Sequence, residues 1–417
     1  MQGRPPHLSS GGILRIKLSE LFWTLAVLLL LLQPELQRLI PAVSWLDEVI
    51  TLFLMICAFF SSGSGKQRLP RYAKGSIACL LLFVLLCIIG NAFSGVPGSP
   101  TPIAIDAFTC VKFFVAAVSG TLVFSKSDNL GNMLIAFAKA MLTVIGLCAV
   151  LSLALNTGML YGETRYGFHP YEFVFPHPTY LAVALAGLII LLSSDSKRNV
   201  CWIALASVLM VLTLRGKAIG FAALALLIIF LTESGKKSVG APQIAFLGFV
   251  ALAIGWGQIE TYFGSEGQAR FELLRAGIQI ALDNNPIGTG FASFGSAVTA
   301  DLEWYSPLYF QYGIASVWGL SQEYSAYISD SFWPTVLGQS GWIGLIAYCC
   351  AFAMLVRSMM SNAGVKLPVL LLVAYLLIMS TSESACFNPS SIYLAICAVV
   401  ASRQVPSSCS ELEAARA

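Results

Sequence analysis

Apolar residues in this chain come in runs long enough to cross a bilayer, and polar residues gather in the joints between them. Spanning the hydrocarbon takes about 20 apolar residues in a helix. Such runs read at roughly 20–40, 44–61, 76–93, 102–124, 131–156, 178–194, 199–214, 217–233, 242–259, 331–356, 366–382 and 385–402. The pattern predicts an all-α, polytopic membrane protein with about twelve transmembrane helices. One stretch breaks the rhythm. Between about Gln258 and Asp330 lies a long polar segment with an amphipathic helix at Ala269 to Asp283, a glycine-rich turn and a dense run of Trp and Tyr. It divides the chain into 1–257, with nine spans and a smaller loop near 157–177; 258–330, one large loop containing short helices; 331–402, with three spans; and a tail at 403–417.

Composition supports this frame. Hydrophobic residues make up 57% and charged residues 11%, where soluble domains carry about 25% charged. Mean hydropathy is +0.79. A net charge of +3 is too small to imply a nucleic-acid partner. Arg4, Arg15 and Lys17 precede the first apolar run as in a signal peptide, but no small-residue cleavage site follows before Pro34 and Glu35. The first span is therefore expected to be retained. The eleven cysteines fall mostly inside apolar runs and read as small hydrophobes. No CxxC or His/Cys spacing marks a metal site, and no cofactor is expected.

Lys and Arg mark cytoplasmic loops. Alternate joints hold Lys66, Arg68, Arg71 and Lys74; Lys126; Lys197 and Arg198; Lys236 and Lys237; and Arg357 and Lys366. The N-terminus and Arg403 fall in the same register, so twelve spans with both ends inside satisfy every cluster. The same count leaves Arg38, Arg165, Arg215, Lys217, Arg270 and Arg275 outside. Each can snorkel to headgroups. As a set they also fit an anionic ligand, for which arginine's planar fork is suited.

On a helical wheel with Arg270 at zero, Glu272, Arg275, Gln279 and Asp283 gather at roughly 140–220°. Phe271, Leu274, Ile278 and Ala281 lie within roughly a quarter turn of Arg270, which puts Arg270 with the apolar face. It then needs an anionic partner, either inside the protein or in a ligand. In NNPIGTGFASFG, Ser293 replaces the third glycine of GxGxxG and no strand precedes it, which excludes a dinucleotide loop. Arg215 and Lys217 sit in the tight joint LTLRGKAIG, pinned at the interface. Arg165, His169 and His177 share the loop ETRYGFHPYEFVFPHPTY, each histidine followed by proline.

Trp304, Tyr305, Tyr309, Phe310, Tyr312, Trp318, Tyr324, Tyr327, Phe332 and Trp333 crowd the later half of the large segment. They fit an interfacial belt or a platform for stacking on sugar faces. Asp301, Glu303, Glu323 and Asp330 are interspersed as general-base candidates or solvated acids. Within the spans, Asp106, Lys112 and Lys139 are ionisable and so functional suspects. Asp106 and Lys112 lie about 120° apart on their helix and are not a same-face pair. Lys139 is expected to pair with a neighbouring helix.

The segment RFELLRAGIQIALDNNPIGTGFASFG resembles the signature of the O-antigen ligase and Wzy-type O-antigen polymerase superfamily. TRYGFHPYEFVFPHPTYLA, LTLRGK, DSFWPTVLGQSGWIGL and SESACFNPSSIYLA resemble further elements of that family in the same order, over roughly 160–400. The resemblance implies a metal-independent glycosyltransferase of the bacterial inner membrane that acts at the outer face. Its substrates would be polyprenyl-diphosphate-linked glycan donor and acceptor, and its partner classes flippase and chain-length-regulator membrane proteins. Arg215, Lys217, Arg165 and Arg275 would bind the lipid diphosphate. Arg270, Asp330 and Glu323 would form the catalytic set, and His177, Trp304, Tyr305 and Trp333 would contact acceptor or sugar. Ligases of the family carry a histidine at the start of the span after the large loop. Here Asp330 and Ser331 stand there and no histidine follows His177, which favours a polymerase over a ligase and leaves the base open. A twelve-span transporter or flippase is the rival from another class. No internal repeat supports it, and the loop SSGSGKQRLPRYAKG lacks an acid.

Overall fold

A computed structural model describes residues 17–63, 69–96, 98–126, 129–155, 157–233 and 267–404. Its helices are α1 (Leu18–Leu39), α2 (Leu46–Gly63), α3 (Arg71–Phe93), α4 (Pro100–Val123), α5 (Leu130–Ala154), α6 (Pro178–Leu192), α7 (Val200–Leu212) and α8 (Gly216–Glu233). They continue with α9 (Ala269–Asp283), α10 (Leu308–Gln311), α11 (Trp333–Ser361), α12 (Leu367–Met379) and α13 (Ser390–Ser402). Extended pairing among the described residues is limited to two isolated bridges, Leu160 with Tyr171 and Arg165 with Phe168.

The protein is all-helical and multi-pass in character. Among the described residues, seven helices, α1–α6 and α11, are long and apolar enough to cross a membrane, and α7, α8, α12 and α13 are shorter apolar helices. The expected run at 242–259, the basic residues Lys66, Arg68, Lys236 and Lys237, and the tail beyond 404 lie outside the described residues. Outward faces stay apolar: Leu81, Leu85 and Ile88 on α3 and Val144, Leu147 and Leu151 on α5 are exposed. In water such surface would be a liability, but lipid tails solvate it. The centre is formed by α6 and α13, whose side chains are almost all buried. Their close approach depends on Gly187, where a Cβ would lie 2.2 Å from the Tyr393 ring. The Tyr393 hydroxyl donates to the Ala184 carbonyl at 3.0 Å.

Two of the intramembrane charges turn out to be structural ties. Lys112 on α4 bonds both Asp47 and Glu48 of α2, so its buried ammonium meets two carboxylates. Asp106 accepts three hydrogen bonds, from the Ala292 amide at 2.6 Å, the Ser296 hydroxyl at 2.5 Å and the Gln339 amide at 2.8 Å. It ties α4 to the glycine-rich turn and to α11. Lys139 departs from the expectation. It borders a small cavity with Asp195 and Arg198, and no ion pair to it is recorded among the described residues.

The glycine-rich turn is an anchor. Helix α11 breaks at Gly341, where φ is +66° and ψ −171°. The break exposes backbone groups of the preceding turn, and the loop fills them: the Thr289 and Gly290 amides donate to the Gly338 and Gln339 carbonyls at 3.1 and 2.8 Å. A Cβ on Gly341 would lie 2.6 Å from the Pro286 carbonyl oxygen, and one on Gly288 2.4 Å from that of Gly338. Asn91 brackets Phe291 from the other side, accepting from its amide at 2.9 Å and donating to its carbonyl at 2.8 Å.

Residues 267–330 thereby become a folded cap with a core of its own, built on Leu273, Ala276, Ile280, Phe294, Tyr309, Ile314 and Leu320. The wheel reading of α9 needs correction. Glu272, assigned to the polar face, is buried, while Ile278, assigned to the apolar face, is exposed. Gly277 lies so close to Pro334 that a Cβ would meet its carbonyl at 2.9 Å. The packed face combines Leu273 and Ile280 with the small Ala276, Gly277 and Ala281, and Arg270 comes to its edge.

Candidate functional site

A polar cavity of about 880 Å³ opens where the cap meets the helix ends. Six chain segments supply its walls. The loop before α6 brings Tyr161, Glu163 and Arg165; the start of α6 brings His177 and Tyr180; the α7–α8 joint brings Arg215 and Lys217. The start of α9 brings Arg270, the end of the cap Trp318, Tyr327 and Asp330, and the α12–α13 joint Glu383 and Asn388. Residues scattered over more than 200 positions therefore face one space.

The α7–α8 joint is tight because Leu214 holds φ at +49°, a left-handed conformation that costs energy for a bulky residue. That turn delivers Arg215 beside His177, with Nη2 to Nε2 at 2.6 Å, and its guanidinium lies 5.6 Å from the Tyr161 ring centroid. The Thr179 amide also approaches His177 Nδ1, at 3.3 Å. A neutral imidazole has one accepting nitrogen. The shorter, charge-assisted contact decides that it is Nε2, so His177 presents its lone pair to Arg215. Burial, reinforced by Arg215, Arg165 and Lys217, lowers the His177 pKa to about 4. The ring is neutral at physiological pH and orients the arginine.

Arg270 donates from Nη2 to Asp330 Oδ2 at 2.7 Å. Burial raises the Asp330 pKa above the ordinary carboxylate value, Arg270 opposes that rise, and Glu383 adds to it. Lys217 is paired with Glu383. Four cations and three carboxylates thus line the cavity (4 − 3 leaves one positive charge, with His177 neutral). Arg215, Lys217 and Arg270 each arrive with a local partner, so an incoming anion finds these donors already oriented.

Not every sequence candidate is here. Arg275 is exposed and absent from the cavity wall, paired at 2.7 Å with the buried Glu272. Glu323 is exposed on the cap. Tyr305 spends its hydroxyl on the Leu320 carbonyl at 2.5 Å and packs on Tyr309; Trp304, like it, is absent from the cavity wall. Trp333 donates to Ser380 at 3.0 Å and borders a separate apolar cleft. The aromatic residues that do face the cavity are Tyr161, Tyr180, Trp318 and Tyr327, with Trp318 packed against Tyr324 at 4.4 Å in a tilted pair.

Glu383 escaped the sequence reading. The signal was available: it is the only acidic residue between 331 and 402, and a lone ionisable group in apolar surroundings is a functional suspect.

No family model matches the chain, and no curated protein is found similar to it.

Proposed function

We propose that this chain is a membrane glycosyltransferase that polymerises polyprenyl-diphosphate-linked oligosaccharide repeat units into a surface or exo-polysaccharide. In this reading it has twelve spans, with both termini cytoplasmic and the cavity facing the outer side. One observation carries the proposal: Arg165, Arg215, Lys217 and Arg270 share a cavity with Asp330 and Glu383 at the ends of apolar helices. A lipid-anchored diphosphate needs positive charge at headgroup depth, and a sugar acceptor needs carboxylate and aromatic surface.

The chemistry follows from those positions. Arg215 and Arg270 hold the diphosphate, flanked by Arg165 and Lys217. The acceptor hydroxyl attacks the anomeric carbon of the donor sugar, and the bond from that carbon to the diphosphate oxygen breaks. The electron pair leaves with the lipid diphosphate, stabilised by the guanidinium groups. The hydroxyl proton passes to a carboxylate. Asp330 is the assigned base: the arriving diphosphate competes for Arg270, and the raised pKa of Asp330 suits it to take a proton.

The test is purified enzyme given lipid-diphosphate-linked repeat units alone. A ladder of extended products supports polymerisation. Product only after addition of lipid A-core acceptor would make it a ligase, and no product with either would overturn the glycosyltransferase reading.

A further inference from the structure

A second polar cavity, of about 280 Å³, lies between α5 and the turn that joins α6 to α7. Helix α6 has the large cavity at its first residues and this one just past its last. The two are therefore at opposite ends of the bundle, separated by the length of that helix. Nothing in the proposed glycosyl transfer uses it.

Its walls carry Lys139 from α5 and Asp195, Arg198 and Asn199 from the turn. Lys139 is half-buried on an apolar helix, and no anionic partner for it is recorded among the described residues. Asn199 supplies an independent observation. It is 2% exposed, and its amide nitrogen donates to the Leu192 carbonyl at 3.1 Å, which fixes the orientation of the amide. Its Oδ1 is then a buried acceptor with no hydrogen-bond partner. A buried acceptor left unmet is costly, and such groups usually await a donor.

We propose that this cavity binds a phospholipid headgroup containing both a phosphate and a primary ammonium. The phosphate sits between Lys139 and Arg198, and the ammonium donates to Asn199 Oδ1 beside the Asp195 carboxylate. Cations and acceptors within one small cavity match a zwitterion better than a simple anion. The membrane is the source of the ligand. Beside Lys139 on α5, Ala140, Val144, Leu147 and Leu151 form an exposed stripe at helical spacing, along which an acyl chain runs. Basic pockets between transmembrane helices are known lipid headgroup sites.

The experiment is native mass spectrometry of the full chain, delipidated in detergent and titrated with phosphatidylethanolamine, phosphatidylmethanol or inorganic phosphate. The expected order is phosphatidylethanolamine roughly tenfold or more tighter than phosphatidylmethanol, which has the same phosphate and no ammonium. Lys139→Gln weakens both lipids by roughly tenfold. Arg198→Gln, on an exposed turn where folding is not at stake, weakens both as well. Equal binding of the two lipids by the wild type overturns the ammonium contact. Unchanged binding in both variants overturns the site, and displacement of lipid by millimolar phosphate overturns the membrane source. Activity on repeat units reports the other cavity, so failure of one reading leaves the other standing.

Discussion

Arg270 and Asp330, 60 residues apart in the chain, meet at 2.7 Å on the wall of the polar cavity. The contact removes an alternative for Asp330, that of capping α11. That helix starts at Trp333 with Phe332 as its N-cap and no side-chain capping bond. Asp330 is left to hold Arg270 and to face the cavity.

Asp330→Asn is expected to keep a hydrogen bond to Arg270 and lose the proton acceptor. Polymer formation should fall by roughly 10²–10⁴-fold, the range for removal of a general base, with the protein level in the membrane unchanged. Turnover within twofold of wild type would transfer the base role to Glu383.

Arg270→Ala and Arg215→Ala should each abolish polymer formation while lipid-linked single repeat units accumulate. Lysine at either position should restore little, because it lacks the planar fork. A fully active Arg270→Lys would remove fork-like clamping of the diphosphate.

His177 gives the site a pH dependence. Its pKa is about 4 in the folded protein against an ordinary 6.5. Between those values an unfolded chain binds a proton that the folded site refuses, so stability is lost as pH falls through that window and regained above it. Thermal unfolding in detergent should show a midpoint that drops between pH 7 and pH 4.5, and the drop should be smaller in His177→Gln. Equal drops in the two proteins would contradict the neutral ring.

The anchor of the cap is testable apart from catalysis. Gly341→Ala places a Cβ against the Pro286 carbonyl at a left-handed position. Asp106→Asn sets an amide donor in place of one of the two oxygens, against either the Ser296 hydroxyl or the Gln339 amide. Each should cost about 1–3 kcal/mol, read as a lower unfolding midpoint and faster proteolysis between 267 and 330. Wild-type protease resistance in both variants would mean that the cap stands without this anchor.

Reporter fusions check the sidedness. Fusions at Lys66, Lys197 and Lys236 should report cytoplasm, and one near Gly264 the outer side. A cytoplasmic signal near Gly264 would place the cavity on the wrong side for an exported polymer.

The apolar runs were readable because lipid imposes one rule on every span: satisfy the backbone inside the helix and present carbon outward. The cations of the cavity were readable for a related reason, since Arg165, Arg215, Lys217 and Arg270 break the alternation of basic joints. Pairings were not readable. That Lys112 meets Asp47, that Asp106 holds Ala292, or that Lys217 meets Glu383 depends on which helices become neighbours. The face of α9 misled because Gly277 packs so closely on Pro334 that the helix is turned to bury Leu273, Ala276 and Ile280, which leaves Ile278 exposed. The aromatic run had no period to sort it, and only the folded cap separates Trp318 and Tyr327 from Trp304 and Tyr305.

Helices α7, α12 and α13 are each 13 residues long, or about 20 Å at 1.5 Å per residue. The hydrocarbon layer is about 30 Å thick. Each contributes a joint at one end to the cavity, through Arg215, Glu383 and Asn388. If the proposed outer-face placement holds, helices this short would leave the cavity floor up to about 10 Å below the plane reached by the longer helices. On the proposed reading, water would enter the membrane there, and a lipid-borne diphosphate would reach the arginines by lateral diffusion without lifting its tail from the bilayer.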